Sequence, residues 1–269
     1  MKKSKLTAID LFAGIGGIRL GFERAGFEIA YSNDIDKYSC QTYRSNFGKI
    51  DERDIRDVKP ETLPDFNVLL AGFPCQPFSQ LGKRLGFDDD RGHLFFEVER
   101  ILHKKKPDAI FLENVSHLKV HDKGKTYAEI VKALEGRLGY KLFTSILNAK
   151  NFGLPQSRER IYIVGFREDV PFVFPKPQNL HVPVKSILEK RVDPKYYLSK
   201  KYLRGLEKHK ARHKSLGHGF VFEILKPNDI AFTLVAGNMG RERNLIKDRI
   251  LRSYDKKLLS PRNSKGIRK

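Results

Sequence analysis

Two reactive side chains lie in segments that come directly after apolar runs typical of buried strands. Cys75 follows the run 68–71 and lies between two prolines, which stiffen the loop, and Glu113 follows the run 109–112. Because ligands bind beyond the carboxyl ends of parallel strands, we expect both groups at one edge of a sheet. A small buried apolar side chain is the alternative interpretation of Cys75. Its position in the loop favours a nucleophile.

Two arginines are candidates for binding an anion. Arg158 and Arg160 lie between the expected strands 141–147 and 161–166. In an extended segment, alternate residues point to the same side, so the two guanidiniums would form a clamp for a phosphate or a carboxylate. An ion-paired edge at the surface is the alternative, and the two residues alone do not distinguish these cases.

A glycine-rich turn indicates a nucleotide-type binding unit near the start of the chain. Residues 13–17 link an apolar strand to an amphipathic helix, and a second strand leads to Asp34, which lies 17 positions after Gly17. This spacing is near the one at which a carboxylate meets ribose hydroxyls. The turn lacks both the dinucleotide glycine pattern and the Gly-Lys-Ser/Thr of a phosphate loop, so neither NAD nor ATP is supported.

Composition predicts two domains and a polyanionic partner. The 269 residues carry a net charge of +20, and residues 200–269 hold 19 Lys and Arg against 6 Asp and Glu, a net of +13. This excess favours nucleic acid. A proline-rich stretch from residue 171 marks the boundary between domains 1–170 and 171–269, the second of them small and irregular.

The glycine-containing segment 80–92 suits a lid over a site.

The remaining composition excludes several classes of protein. No apolar run reaches the length of a membrane span, so no membrane partner is expected. Two cysteines cannot form a disulfide framework, which favours the reducing cytoplasm. His209 and His213 are four residues apart but have no cysteine or carboxylate cluster nearby, so no metal site is predicted.

The motifs together resemble those of the cytosine-5 DNA methyltransferases. The blocks 10–17, 73–79, 113–115 and 156–160 occur in the order and spacing of that family, over about residues 6–166. The resemblance implies an α/β fold, with a doubly wound, mostly parallel, Rossmann-like sheet. It also implies a smaller, irregular, basic target-recognition domain, with double-stranded DNA between the two domains.

The resemblance also implies a cofactor and a set of site residues. S-adenosylmethionine would be the methyl donor. The residues placed at the cofactor are Phe12, Gly14, Gly16, Gly17, Asp34, Ile35, Asp54, Ile55 and Pro74. The catalytic residues are Cys75, Glu113, Arg158 and Arg160. The family usually has glutamate in place of Asp34, and the shorter aspartate must reach further toward the ribose.

In the reaction that the resemblance implies, the Cys75 thiolate adds to carbon 6 of a flipped-out cytosine in duplex DNA. Glu113 would hydrogen-bond ring nitrogen 3, Arg160 would hold the base, and Arg158 would orient the cleft. The resemblance further implies protection of DNA in a restriction-modification system. A tRNA cytosine-5 methyltransferase and an inactive DNA-binding remnant stay open as alternatives. The basic second domain favours duplex DNA, and the intact catalytic residues favour an enzyme.

One departure from the family concerns the end of the sequence. Lys269 stands about where family members begin a Gln-x-x-Gly-Asn-Ser block and a helix that completes the cofactor domain. The expectation is therefore a truncated chain or the first subunit of a split enzyme. Such a chain would have weak or no activity until a second polypeptide supplied the missing part.

Overall fold

The computed structural model describes residues 5–74, 94–178, 180–190, 192–193, 196–217, 222–234, 244–247 and 263–268. The chain divides into two compact units, one of residues 1–147 and 160–175 and the other of residues 148–159 and 176–269. This division differs from a single boundary at residue 170. The segment 148–159 joins the second unit because it carries a short strand that pairs within that unit.

The first unit contains four α-helices and six strands in its described part. The helices are α1 (Gly17–Arg24), α2 (Lys37–Phe47), α3 (Leu94–Lys105) and α4 (Lys125–Val131), and α4 continues as a wider, π-helical segment over Lys132–Arg137. The strands are β1 (Thr7–Leu11), β2 (Glu28–Asn33), β3 (Val68–Ala71), β4 (Ala109–Val115), β5 (Lys141–Asn148) and β7 (Glu159–Phe166).

These six strands form a mixed sheet in the order β2-β1-β3-β4-β7-β5. The pairs β1–β2, β1–β3 and β3–β4 are parallel, and β4 and β7 are antiparallel. The chain places β2 on one side of β1 and β3 on the other. The direction in which strands are added to the sheet therefore reverses at β1. Such a reversal leaves a crevice at the carboxyl ends of the strands, where ligands bind in open α/β sheets.

Alternating side chains of the strands build a core on each face of the sheet. On one face, Ala8 and Leu70 pack with Phe22 of α1. On the other face, Ile9 and Leu69 belong to a larger core that includes residues of α3 and α4. Since helices cover both faces, the sheet is doubly wound, and the predicted fold class is confirmed.

The second unit is built from smaller sheets and one long helix in its described part. Its strands are β6 (Gln156–Ser157), β8 (Tyr197–Ser199), β9 (Glu223–Leu225), β10 (Ala231–Phe232), β11 (Asn244–Lys247) and β12 (Asn263–Arg268). Strands β6 and β10 pair in parallel, and the other four form a sheet in the order β8-β12-β11-β9. Helix α5 (Lys200–Ser215) packs through Leu203 onto this unit.

In the part of the chain that the structure describes, every helix is too short or too polar to traverse a lipid bilayer.

Candidate functional site

A cavity of about 340 Å³ opens at the carboxyl ends of β1, β2 and β3. Its lining comes from the end of β2, the segments that follow the three strands, a short helical turn and the start of α3. The lining residues are Phe12, Asn33, Asp34, Ile35, Asp54, Ile55, Arg56, Gly72, Pro74 and Leu94. The structure thus brings together six of the nine residues expected at the cofactor, at the edge of the sheet where the strand order predicts a ligand.

Phe12 has an unusual backbone conformation. It follows β1 directly and has a φ of 55°, in the left-handed region that non-glycine residues rarely adopt. Its half-buried side chain packs against the larger core of the first unit. Backbone strain of this kind persists where the surrounding structure enforces it, and it is concentrated at binding sites. Phe12 combines this backbone conformation with a place in the lining of the cavity.

Asp34 is held in place by the backbone on both sides. The Gly14 N–H donates to Asp34 Oδ2 at 2.7 Å, and the Asp36 N–H donates to Asp34 Oδ1 at 2.8 Å. A carboxylate has about four acceptor positions, so each oxygen keeps the capacity for one more bond. The carboxylate is therefore preorganised to accept hydroxyl donors from a ligand in the cavity.

Of the residues expected at the cofactor, Ile55 begins a short 3₁₀ turn, Ile55–Asp57, and Asp54 directly precedes it. Asp54 caps this turn by accepting the Arg56 N–H at 2.9 Å, and the Arg56 guanidinium bonds the same carboxylate. The hydrogen bonds from Arg56 hold the pKa of Asp54 below its usual value. Ile55 is buried, whereas Ile35 across the cavity is 63% exposed, an unusual state for isoleucine that leaves an apolar wall open to a ligand.

The glycine turn supports the site without lining the cavity. Gly14 uses its N–H to fix Asp34, as described above. Gly16 has a φ of 92°, and a Cβ there would lie 2.2 Å from Cε2 of Phe47. Gly17 begins α1, and a Cβ there would meet nothing within 4 Å. Gly14 thus fixes Asp34, and Gly16 permits the close approach of Phe47, whereas nothing in its surroundings restricts the size of residue 17.

Glu113 lies inside β4, not after it, because β4 continues to Val115 opposite Arg160. In this register Glu113 and Arg160 share a face of the sheet as diagonal neighbours. Arg160 Nε donates to Glu113 Oε1 at 2.8 Å, and 14% and 20% of the two side chains are exposed. The other oxygen, Oε2, lies 3.5 Å from where a Gly72 Cβ would be. One carboxylate oxygen is held by the arginine, and the other faces the segment after β3.

Asn114 connects β4 to the segment that leads into Cys75. Its Nδ2 donates to the Phe73 carbonyl at 2.9 Å, and its Oδ1 accepts the Val115 N–H at 2.8 Å. The side chain is almost fully buried. Pro74, which follows Phe73, lines the cavity. Cys75 and the expected lid 80–92 lie outside the described residues.

Comparison with known proteins establishes the family. A family model described as C-5 cytosine-specific DNA methylase matches residues 6–266. The chain belongs to the C-5 cytosine-specific DNA methylase family. This confirms the family expected from the motifs.

The chain is similar to two curated members of this family. It is 45% identical over 276 residues to the Type II methyltransferase M.HpaII of Haemophilus parainfluenzae, a match that covers 99% of this chain and 77% of that protein. It is 50% identical over 225 residues to the Type II methyltransferase M.NlaX of Neisseria lactamica, covering 80% and 70% respectively. The comparisons lend no support to the expected second polypeptide.

A solved structure shares the fold. The Entamoeba histolytica methyltransferase EhMeth has a TM-score of 0.74 to this chain at 22% identity, and the match covers 99% of this chain and 83% of that one. At this identity the likeness extends to the fold alone.

The two arginines expected at the site fall in different units. Arg158 belongs to the second unit, and Arg160 to the first. The Arg158 N–H donates to Asn148 Oδ1 at 3.1 Å, and its carbonyl accepts the Ala149 N–H at 3.0 Å. Its backbone is thus fixed within the second unit. The clamp formed by both guanidiniums stays a prediction.

Sequence reasoning missed four residues of the cavity, namely Asn33, Arg56, Gly72 and Leu94. Asn33 is buried, and its Nδ2 donates to the carbonyls of Asp51 and Arg53, which brings the Asp54 turn to the end of β2. The position of Gly72, directly after β3, was a signal that could have identified it. The position of Arg56 at the cavity depends on the pairing of residues 33 and 51, which no local sequence pattern reveals.

Proposed function

We propose that this methylase transfers a methyl group from S-adenosylmethionine to carbon 5 of a cytosine in double-stranded DNA. One observation carries the proposal. The ion pair of Glu113 and Arg160 and the cavity lined by Pro74 occupy the same carboxyl edge of the parallel strands, and the sequence continues from Pro74 directly to Cys75. A nucleophile, an acidic partner and a ligand cavity are the groups that this chemistry needs.

The residues of the cavity fit S-adenosylmethionine. A volume of about 340 Å³ lies within the usual range for small-ligand sites, about 300–1,000 Å³. Asp34 would accept the ribose hydroxyls, Ile35 and Ile55 would bound the adenine, and Phe12 would contact the cofactor with its ring. When bound, S-adenosylmethionine supplies an electrophilic methyl group to the base.

Cys75 would activate the cytosine ring. Carbon 5 of cytosine is a poor nucleophile, and addition of the Cys75 thiolate to carbon 6 forms a carbon–sulfur bond. The electrons of the carbon 5–carbon 6 double bond then become available at carbon 5. After carbon 5 has accepted the methyl group, it loses its proton, and the electron pair of that carbon–hydrogen bond restores the double bond and expels Cys75.

Glu113 and Arg160 would stabilise the charge that builds up in this addition. Glu113 would hydrogen-bond ring nitrogen 3, and a proton held between the two would relieve the negative charge that addition of the thiolate builds up on the ring. The bond from Arg160 Nε to Oε1 fixes the carboxyl group, so that Oε2 is the oxygen left to face the base. Arg160 thus positions Glu113 as well as contributing positive charge to the site.

The substrate would be a base extruded from the duplex, because carbon 6 is out of reach within stacked DNA. The basic second unit would bind the DNA around that base. The relatives are named Type II methyltransferases, which supports a role in a restriction-modification system, where methylation protects DNA.

Covalent trapping tests the proposal. The full chain is incubated with S-adenosylmethionine and mixed-sequence duplex DNA in which cytosine is replaced by 5-fluorocytosine, whose carbon 5 cannot lose a proton. We expect a denaturation-resistant protein–DNA adduct with the wild type and none with Cys75→Ser. Cys40→Ser is the matched control, since Cys40 is the other cysteine of the chain and is fully buried.

An adduct that persists in Cys75→Ser overturns the assignment of the nucleophile. Absence of an adduct and of methyl transfer with the wild-type chain on duplex DNA overturns the proposed activity. Trapping on 5-fluorocytosine tRNA with none on duplex DNA would assign the RNA substrate instead.

A further inference from the structure

Helix α5 presents one exposed basic face in the second unit. Its exposed cations Lys201, Arg204, Lys208 and Arg212 form what we call the basic stripe. At about 100° per residue, these positions fall within about 80° of one another around the helix axis and extend over about 16 Å along it. The stripe is therefore a row of cations on one side of the helix.

The opposite side of α5 packs into the unit. Leu203 and Leu206 belong to a small apolar core there. Lys210, on this inward side, donates to the Phe222 carbonyl at 3.0 Å and to Glu223 Oε1 at 3.1 Å. The inward cation of the helix thus has partners within the protein, and the apolar contacts fix the basic stripe on the outward side.

The basic stripe forms no ion pair with an acidic side chain in the described part of the chain. Glu207 is the acidic residue of α5, and it is not paired with the stripe there. In the first unit, some exposed cations have carboxylate partners, as in Arg53–Asp51, and others, such as Lys49 and Lys59, have none among the described residues. What sets the stripe apart is its arrangement, with four cations in one row on one side of a helix.

The stripe also opposes the stability of its own helix. Its members follow one another at intervals of three or four residues, where like charges on a helix repel. The first turn of α5 contains Lys201 and no acidic residue, although the amino end of a helix favours negative charge. A polyanion bound along the stripe would remove both penalties, so the residue choice suits ligand binding better than helix stability.

We propose that the basic stripe binds the phosphate backbone of duplex DNA and fixes the position of the DNA without reading its sequence. This inference rests on the proposed function. Duplex DNA carries one negative charge per about 1.7 Å of its axis, so a row of about 16 Å spans several phosphates. Lysine and arginine contacts to phosphates supply affinity and orientation but no sequence information.

The test compares two variants with the same change in net charge. The first neutralises the basic stripe by K201Q, R204Q, K208Q and R212Q. The control neutralises four exposed lysines of the first unit that form no ion pair among the described residues, by K49Q, K59Q, K125Q and K132Q. The affinity of each full-length variant for fluorescently labelled duplex DNA is measured by anisotropy between about 50 and 200 mM salt.

In the stripe variant, we expect the slope of log affinity against log salt to become shallower by about 0.9 for each phosphate that the variant no longer binds, with about a tenfold or greater loss of affinity at low salt. The control should stay near the wild type. The melting temperature of the stripe variant should not fall, because glutamine is a good helix former and the like-charge repulsion is gone.

A salt slope unchanged from the wild type, or changed equally in the control, overturns the inference and leaves the proposed function standing if the wild type still methylates duplex DNA. If the wild type neither binds nor methylates duplex DNA, both are overturned. If the stripe variant loses affinity for structured RNA and keeps it for duplex DNA, the stripe belongs to an RNA ligand.

Discussion

Asp10 is a buried charge that the proposed chemistry does not use. It lies in β1 with no exposed surface, and neither carboxylate oxygen has a hydrogen-bond partner among the described residues. Burial raises the pKa of its carboxyl from 3.8 to about 7. Arg19 lowers the pKa of Asp10, and the negative charge of Asp34 raises it further. The side chain is therefore a local source of pH-dependent stability.

The direction of that dependence follows from proton binding. Between about pH 4 and pH 7 the native state keeps a proton that the unfolded chain has released, so the stability is fully present below this range, falls through it and is level above it. The change amounts to about 4 kcal/mol, from about 1.4 kcal/mol per pKa unit. Asp10→Asn should flatten the curve of unfolding free energy against pH, measured by urea denaturation.

Asp57→Asn, at the surface, is the matched control for removing one carboxylate. If the curves of unfolding free energy against pH are parallel for the wild type and Asp10→Asn between about pH 4 and pH 7, Asp10 is not a source of pH-dependent stability.

The individual site residues differ in how far the sequence could predict them. Asp34 comes directly after β2, and Pro74 comes shortly after β3, so the order along the chain was enough to expect both at one edge of the sheet. The bond from Asn114 to the Phe73 carbonyl depends on two strands being adjacent, and the pattern along either strand does not contain that information. Contacts between elements decide these cases.

At the scale of elements, the two glycines at the start of α1 should respond differently to substitution. A side chain at residue 16 would overlap with Phe47, whereas residue 17 has free space around it. Gly16→Ala should lower the free energy of unfolding by about 2–5 kcal/mol. The left-handed backbone contributes about 1–2 kcal/mol, and the overlap with the Phe47 ring contributes about 1–3 kcal/mol. Gly17→Ala should be neutral or stabilising by up to about 1 kcal/mol, because alanine favours the helix.

Urea denaturation of both variants, and of each in a Phe47→Ala background, checks this explanation. The cost of Gly16→Ala should shrink when Phe47 is shortened, since the overlap is then relieved. An equal cost in both backgrounds would mean that the ring does not restrict residue 16.

The strands show why element prediction succeeded in some places and not in others. Val68–Ala71 was predicted with the observed bounds, because four consecutive apolar residues between turn residues are typical of a strand buried on both faces. Glu113 was expected after its strand and lies within it, because β7 pairs with β4 as far as Val115. The membership of 148–159 in the second unit follows from the pairing of β6 with β10, a contact between segments distant in sequence.

At the scale of the whole molecule, the cavity and the basic stripe belong to different units. Every residue that lines the cavity lies in the first unit, and α5 lies in the second. Cofactor and DNA should therefore leave distinct protection patterns on the backbone. A ligand that binds the folded chain at one hundred times its dissociation constant stabilises it by about 2.7 kcal/mol, enough to slow amide exchange clearly.

Hydrogen exchange with mass spectrometry would separate the two patterns. S-adenosylmethionine should protect peptides that contain residues 12–14, 33–36 and 72–74, because these segments contribute residues to the lining of the cavity, and should leave peptides from α5 unchanged. Duplex DNA added alone should protect α5, because neutralising the basic stripe removes the repulsion within that helix. S-adenosylhomocysteine, which lacks the methyl group, is the control for cofactor binding without transfer. Protection by the cofactor confined to α5 would contradict the assignment of the cavity, and DNA protection that spares α5 would contradict the assignment of the stripe.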